Sequence, residues 1–162
     1  MNNEVMITGS FDPVTLGHVD IIKRAAAIFE KVAVVMFINE NKDYMFTKEQ
    51  RLEMLKAACQ GIFGVRVDAS DGLVVDYAKS HGIKCVVRGI RNNEDLDYET
   101  KMAEYNKEKG GIETVFLVAE GELSLCSSTR VRQIALQNGG INDLVPVEVA
   151  GIIEKIKNTG DK

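Results

Sequence analysis

Gly9-Ser10-Phe11-Asp12-Pro13-Val14-Thr15-Leu16-Gly17-His18 lies between an apolar run, Val5-Met6-Ile7, and the helical pattern Val19-Asp20-Ile21-Ile22-Lys23-Arg24-Ala25-Ala26. Strand, glycine-bearing turn and helix, in that order, bring free backbone N–H groups and the positive end of a helix to one point, which suits an anion. Ser10 and His18 add side-chain donors there. Gly17 is expected to leave room for a ligand against the backbone, and the imidazole after it to donate to that ligand.

Outward from this turn the chain alternates. Lys31 to Ile38 is a continuous apolar run of the kind buried on both faces of a sheet. After a polar loop carrying Lys42, Thr47-Lys48-Glu49-Gln50 has the spacing of a capping box and opens a helix expected to bury Leu52, Leu55 and Cys59. Val65-Arg66-Val67 reads as a third strand, Leu73 to Ser80 as a helix closed at His81-Gly82, and Lys84 to Val87 as a fourth strand ending on Arg88-Gly89-Ile90-Arg91. A helix from Asn93 to Lys109 carries Tyr98, Met102 and Tyr105 at helical spacing. Thr114 to Val118 is a fifth strand, followed by a loop, a helix from about Cys126-Ser127-Ser128-Thr129 to Leu136, and a last helix from Pro146 with Val149, Ile152, Ile153 and Ile156 in one stripe. The alternation predicts an α/β protein, a doubly wound five-stranded parallel sheet in one domain over residues 1–162, with its site beyond the carboxyl ends of the strands at the switch in strand order.

The 162 residues carry 20 Lys and Arg against 24 Asp and Glu, a net charge of −4, which argues against a broad basic face for nucleic acid but not against a pocket with a few local cations. No apolar run reaches membrane-spanning length and no signal-like start is present, so a cytoplasmic protein without a membrane partner is expected. Cys59, Cys85 and Cys126 have neither disulfide-framework nor zinc spacing.

Three motifs fall at strand ends: Gly9 to His18, Arg88 to Arg91, and Ser127 to Arg132. Arginine leaving a buried strand is costly unless it meets an anion, and its planar fork suits phosphate. The competing reading is a salt bridge from Arg88 or Arg91 to Glu94, Asp95 or Asp97. The Ser127-Ser128-Thr129 helix start, with Arg130 and Arg132, reads as a second anion site. A Ser10–His18–Asp12 hydrolase triad is disfavoured, because no G-x-S-x-G elbow is present. Neither a Walker A sequence nor G-x-G-x-x-G occurs, so phosphate is handled by another device.

Thr15-Leu16-Gly17-His18 resembles the [T/H]-x-G-H signature of the nucleotidyltransferase superfamily. Cys126-Ser127-Ser128-Thr129-Arg130-Val131-Arg132 resembles its second signature, I-S-S-T-x-x-R, with cysteine in place of isoleucine. The first turn, Lys42 with Met45-Phe46-Thr47, Arg88-Gly89-Ile90-Arg91 and Asp97-Tyr98-Glu99 together resemble the bacterial phosphopantetheine adenylyltransferases from the first strand to the last helix. That resemblance implies a Rossmann-like nucleotidyltransferase fold. It also implies transfer of the adenylyl group of ATP to 4′-phosphopantetheine with Mg²⁺, giving dephospho-coenzyme A and pyrophosphate. It assigns Ser10, Lys42, Val74 and Arg88 to phosphopantetheine. Ser10, Phe11, His18, Gly89, Ile90, Arg91, Glu99, Leu123, Ser124, Leu125, Cys126, Ser127, Ser128 and Thr129 are assigned to ATP, with His18, Ser10 and Lys42 catalytic. A homohexamer inhibited by coenzyme A is implied as well. Ser10 stands where threonine is usual, keeping the hydroxyl, and the loop Glu122 to Cys126 lacks the aromatic that some members place beside adenine. The alternatives are a sister enzyme using nicotinate mononucleotide or glycerol 3-phosphate, and a non-catalytic nucleotide or coenzyme A sensor.

Overall fold

In the computed structural model, which describes residues 4–160, five strands form one all-parallel sheet in the order β3-β2-β1-β4-β5. The strands are β1 (Glu4–Gly9), β2 (Lys31–Phe37), β3 (Val65–Ser70), β4 (Cys85–Ile90) and β5 (Glu113–Val118). The helices are α1 (Leu16–Ile28), α2 (Lys48–Cys59), α3 (Val74–His81), α4 (Asn93–Gly110), α5 (Ser128–Leu136) and α6 (Val147–Thr159), with a 3₁₀ turn at Gly121–Leu125. Val32 to Met36 are wholly buried because β2 is covered on both faces. One apolar layer joins Ile22, Leu55, Val131, Val149 and Ile153, and a second, on the opposite face, joins Met6, Val35, Ala78 and Ile112. The α6 stripe therefore belongs to the core, packed with α2.

The strand order reverses between β1 and β4, the place expected to hold a ligand. Here the ladder is short. β1 pairs with β2 at every position from Glu4 to Gly9, yet with β4 only at Met6↔Val86 and Ile7↔Val87. Past Ile7 the two strands stop pairing, and a crevice opens between Thr8-Gly9 and Arg88-Gly89.

Several boundaries differ from the sequence reading. α1 starts at Leu16, two residues ahead of His18, so Gly17 also lies in its first turn. β4 runs on to Ile90, so Arg88 is a strand residue whose side chain leaves the sheet face. In α2 the wholly buried apolar side chains are Met54 and Leu55, while Leu52 is half-buried. Ile28 is exposed at the end of α1. The Tyr98–Met102–Tyr105 row is not core, since Tyr98 is 60% and Tyr105 44% exposed, and the buried residues of α4 are the polar Glu99 and Asn106.

Ile22 is fully buried at the centre of the larger layer. Ile22→Ala is expected to lower unfolding free energy in urea by about 2–5 kcal/mol, with the m-value unchanged. A loss below about 1 kcal/mol would contradict this packing.

Candidate active site

The Thr-x-Gly-His turn is a reciprocal helix cap. Thr15, the N-cap of α1, accepts from the His18 N–H through its hydroxyl (3.4 Å), and its own N–H donates to His18 Nδ1 at 3.0 Å. The Thr15 hydroxyl proton goes to the Cys126 carbonyl at 2.8 Å. Because Nδ1 accepts a backbone N–H, the ring proton sits on Nε2, and that donor is what the imidazole offers the cavity. Burial, reinforced by the nearby positive charges of Arg88 and Arg91, pushes the His18 pKa down to about 4. The ring is thus neutral at pH 7. Phe11, 2% exposed, meets it edge to face at 5.1 Å.

Two expectations about this turn are corrected. A Cβ on Gly17 would lie 2.9 Å from the Leu123 carbonyl oxygen and 3.0 Å from that of Cys126, so the glycine admits the neighbouring loop rather than a ligand. The amides of α1 are also spent internally. Leu16 N–H donates to the Leu144 carbonyl at 2.9 Å, Gly17 N–H goes to the Cys126 sulfur and His18 N–H to Thr15. The helix start with open amides is that of α5. There the Ser127 hydroxyl caps the Arg130 N–H, while the Ser128 and Thr129 amides take no partner among the described residues.

The second motif is fastened to the first. Ser128 Oγ donates to the Pro13 carbonyl at 2.8 Å, and Arg132 donates to the Asp12 carbonyl at 2.7 Å and to Thr129 Oγ1. Arg132 thus supports the turn rather than standing bare, and Arg130 lies outside the cavity lining. The Asp12 carboxylate accepts from the amides of Met45 and Phe46 at 2.9 and 3.0 Å, which leaves no Ser10–His18–Asp12 relay.

The arginines at the end of β4 carry carboxylate partners: the salt-bridge reading holds for Arg91, with Asp95, and is corrected for Arg88. Arg88 forms a bidentate pair with Glu99, a residue outside the three considered, and also donates to Thr8 through its carbonyl and its hydroxyl at the unpaired end of β1. Arg91 pairs with Asp95 at 2.7 and 2.9 Å. That guanidinium holds the Asp95 carboxyl below its usual range, and the hydrogen bonds raise Arg91 in turn. Lys42, exposed on its loop, forms no ion pair with any described residue.

Together these groups line a cavity of about 300 Å³ at the crevice. Ser10, Phe11, His18, Lys42, Arg88, Gly89, Arg91, Glu99, Leu123 and Cys126 to Thr129 all face it, joined by Asp12, Asp95 and Arg132. Val74 lines an adjoining cavity of about 190 Å³, which shares Ser10, Arg88 and Glu99 and continues past Met102 and Asn106. Ile90 is buried, Leu125 is exposed and Ser124 bonds back to the Gly121 carbonyl, so these three line neither cavity. Asp95 and Asp12 were not singled out from sequence as site residues. Asp95 sits four residues beyond Arg91, the one helical spacing that hinted at it.

The model of the cytidylyltransferase-like family matches residues 6–134. The chain is 46% identical to the phosphopantetheine adenylyltransferase of Thermotoga neapolitana over 151 residues, covering 92% of this chain and 94% of that one. It is 45% identical to the phosphopantetheine adenylyltransferase of Thermobifida fusca over 142 residues, covering 88% and 87%. The chain belongs to the cytidylyltransferase-like family, among its phosphopantetheine adenylyltransferases. It is a nucleotidyltransferase enzyme of coenzyme A biosynthesis.

A histidine with a depressed pKa contributes stability above the unfolded value near 6.5, and that contribution is lost as pH falls toward about 4. In an NMR titration the His18 ring is expected to keep its neutral shifts and its Nε2–H tautomer from pH 8 down to about 5. A midpoint near 6.5 would contradict the locked cap. Gly17→Ala is expected to displace the Leu123–Cys126 segment and cost about 1–3 kcal/mol in thermal or urea unfolding. A neutral substitution would contradict the close approach.

Proposed function

We propose that this chain transfers the adenylyl group of ATP to 4′-phosphopantetheine, releasing pyrophosphate and dephospho-coenzyme A. The observation that carries the chemistry is a neutral His18, fixed as an Nε2–H donor and facing Lys42, Arg88, Arg91 and the open amides of α5 across one cavity. This set has donors and cations for phosphates but no base or covalent nucleophile poised for another reaction. The acceptor is chosen by the relatives, whose names specify phosphopantetheine and whose similarity spans the chain. Nicotinate mononucleotide, glycerol 3-phosphate and a non-catalytic sensor have no such support.

The attacking 4′-phosphate is already anionic at neutral pH, so no general base is required. One of its oxygens forms the new bond to the α-phosphorus while the bond to the β-phosphate oxygen breaks, and the electron pair leaves with pyrophosphate. The chain's task is to bring two anions together and hold the charge that develops around phosphorus. Ser10, Lys42 and Arg88 orient the acceptor phosphate, and Val74 borders its organic arm. His18 Nε2–H donates to the α-phosphate. Arg91 and the Ser127–Thr129 helix start take the β- and γ-phosphates, while Phe11, Gly89, Glu99, Leu123 and Cys126 border the nucleotide. Arg88 and Arg91 serve without losing their carboxylates: Arg91, paired on one edge, keeps its Nη1 donors, and Arg88, whose Nη1 is taken by Thr8, keeps one N–H on Nη2.

Nucleotidyltransfer generally uses a divalent metal. Among the described residues no three acidic, histidine or cysteine side chains cluster to cage one, and Asp95 and Glu99 spend their oxygens on arginine. The donor set fits Mg²⁺ carried on the nucleotide's own phosphates with its waters, the way this ion is commonly bound. When bound, it would neutralise charge on the departing pyrophosphate. The same reading makes residues 1–162 one nucleotidyltransferase domain of the cytoplasm, with coenzyme A competing for the acceptor cavity. Exposed Tyr98, Val118, Leu136 and Val147 support self-association, for which the resemblance implies a homohexamer.

With ATP and Mg²⁺, pyrophosphate release is expected with 4′-phosphopantetheine and not with nicotinate mononucleotide or glycerol 3-phosphate; the reverse preference would overturn the acceptor. His18→Ala is expected to lower kcat by about 10²- to 10³-fold with ATP affinity nearly unchanged. The wild-type kcat profile should show no inflection from this histidine between pH 5.5 and 8, as a donor with a pKa of about 4 requires.

A further inference from the structure

Arg51 has a burial that its charge does not explain. Among the described residues it is the bulkiest fully buried side chain, 1% exposed, and it sits in the first turn of α2, the end of a helix that disfavours a cation. A buried charge is costly unless paired, yet Arg51 forms no ion pair with any described residue, and its Nε has no partner. Its contacts run elsewhere. Nη1 donates to the Ser10 carbonyl at 2.9 Å, and the guanidinium lies 3.7 Å from the centre of the Tyr44 ring. A guanidinium stacked on an aromatic face and donating to a backbone oxygen makes a stiff junction.

Tyr44 extends that junction to Lys42. Its hydroxyl accepts from the Asn39 N–H at 3.0 Å, and the Lys42 N–H donates to the Asn39 carbonyl at 3.1 Å, which closes the loop bearing Lys42. The Lys42 ammonium lies 5.8 Å from the same ring. A continuous set of contacts therefore runs from the backbone of Ser10, through Arg51 and Tyr44, to the loop and ammonium of Lys42. Fixing two groups on separate elements against each other is what engagement of a single phosphate by both requires.

We propose that Arg51 and Tyr44 are positioning residues that hold Lys42 in register with Ser10, so that both engage the phosphate of the acceptor. This rests on the acceptor reading given above. Unlike Ser10 and Lys42, neither residue lines the cavity, so both act through those two.

The test is a double-mutant cycle read by calorimetric dissociation constants for 4′-phosphopantetheine and, separately, for ATP. Wild-type protein comes first: no binding of 4′-phosphopantetheine would overturn the acceptor assignment itself, before any variant is made. Tyr44→Leu is expected to weaken 4′-phosphopantetheine about tenfold and ATP less than about twofold. In a Lys42→Met background the same change should weaken 4′-phosphopantetheine less than about twofold, because the group it positions is gone. Equal weakening of both ligands, or the same factor with and without Lys42, would overturn the proposal. If Tyr44→Leu fails to fold, Tyr44→Phe carries the cycle. It loses only the bond to Asn39, with an expected weakening of about threefold that vanishes in Lys42→Met. No weakening, or one that persists without Lys42, would overturn the proposal equally.

Discussion

The hydroxyl of Thr15 joins the two halves of the site. It accepts the N–H of His18 and donates to the carbonyl of Cys126, 111 residues later. The first contact, with the return bond from Thr15 N–H to the imidazole, fixes the tautomer and direction of His18. The second draws the Cys126–Thr129 segment against the start of α1, an approach that only a residue without a side chain at position 17 permits. Ser128 on Pro13 and Arg132 on Asp12 close the same seam. Loss of this junction would free the ring to turn and leave the amides of α5 aimed elsewhere. The two signature motifs are one structural object.

Charge is arranged around this junction economically. The chain is net acidic, yet Lys42, Arg88, Arg91 and Arg132 border one cavity. The two β4 arginines are held by Glu99 and Asp95, which limits mutual repulsion in the empty site and aims each fork. Among the described residues Lys42 has no carboxylate partner, so its charge is not neutralised within the cavity. The same cationic field helps keep His18 neutral, because protonating it would add charge beside Arg88 and Arg91. A neutral donor suits a reaction whose nucleophile is already ionised.

Much of this was legible in the residues. Apolar runs alternating with helical patterns gave five parallel strands and six helices, and the switch-point argument located the crevice, because a strand order that reverses must do so beside β1. Motifs carry types and spacings, so Ser10, His18, Lys42 and Arg88 could be named from them. What a linear pattern lacks is partnership across the fold. Gly17 reads as space for a ligand, and only the carbonyls of Leu123 and Cys126 show that the space admits a loop. The partner of Arg88 lies eleven residues on, beyond local helix spacing, and no motif or periodicity marks the burial of Arg51.

The proposed reaction is a single in-line displacement at the α-phosphorus, assisted by a fixed neutral donor and by cations rather than by a covalent enzyme intermediate. The stereochemical course at that atom distinguishes one displacement from two. With ATP made chiral at the α-phosphorus by one sulfur substitution, transfer to 4′-phosphopantetheine is predicted to invert configuration. Retention would require two successive displacements through an adenylylated residue, which a single displacement excludes.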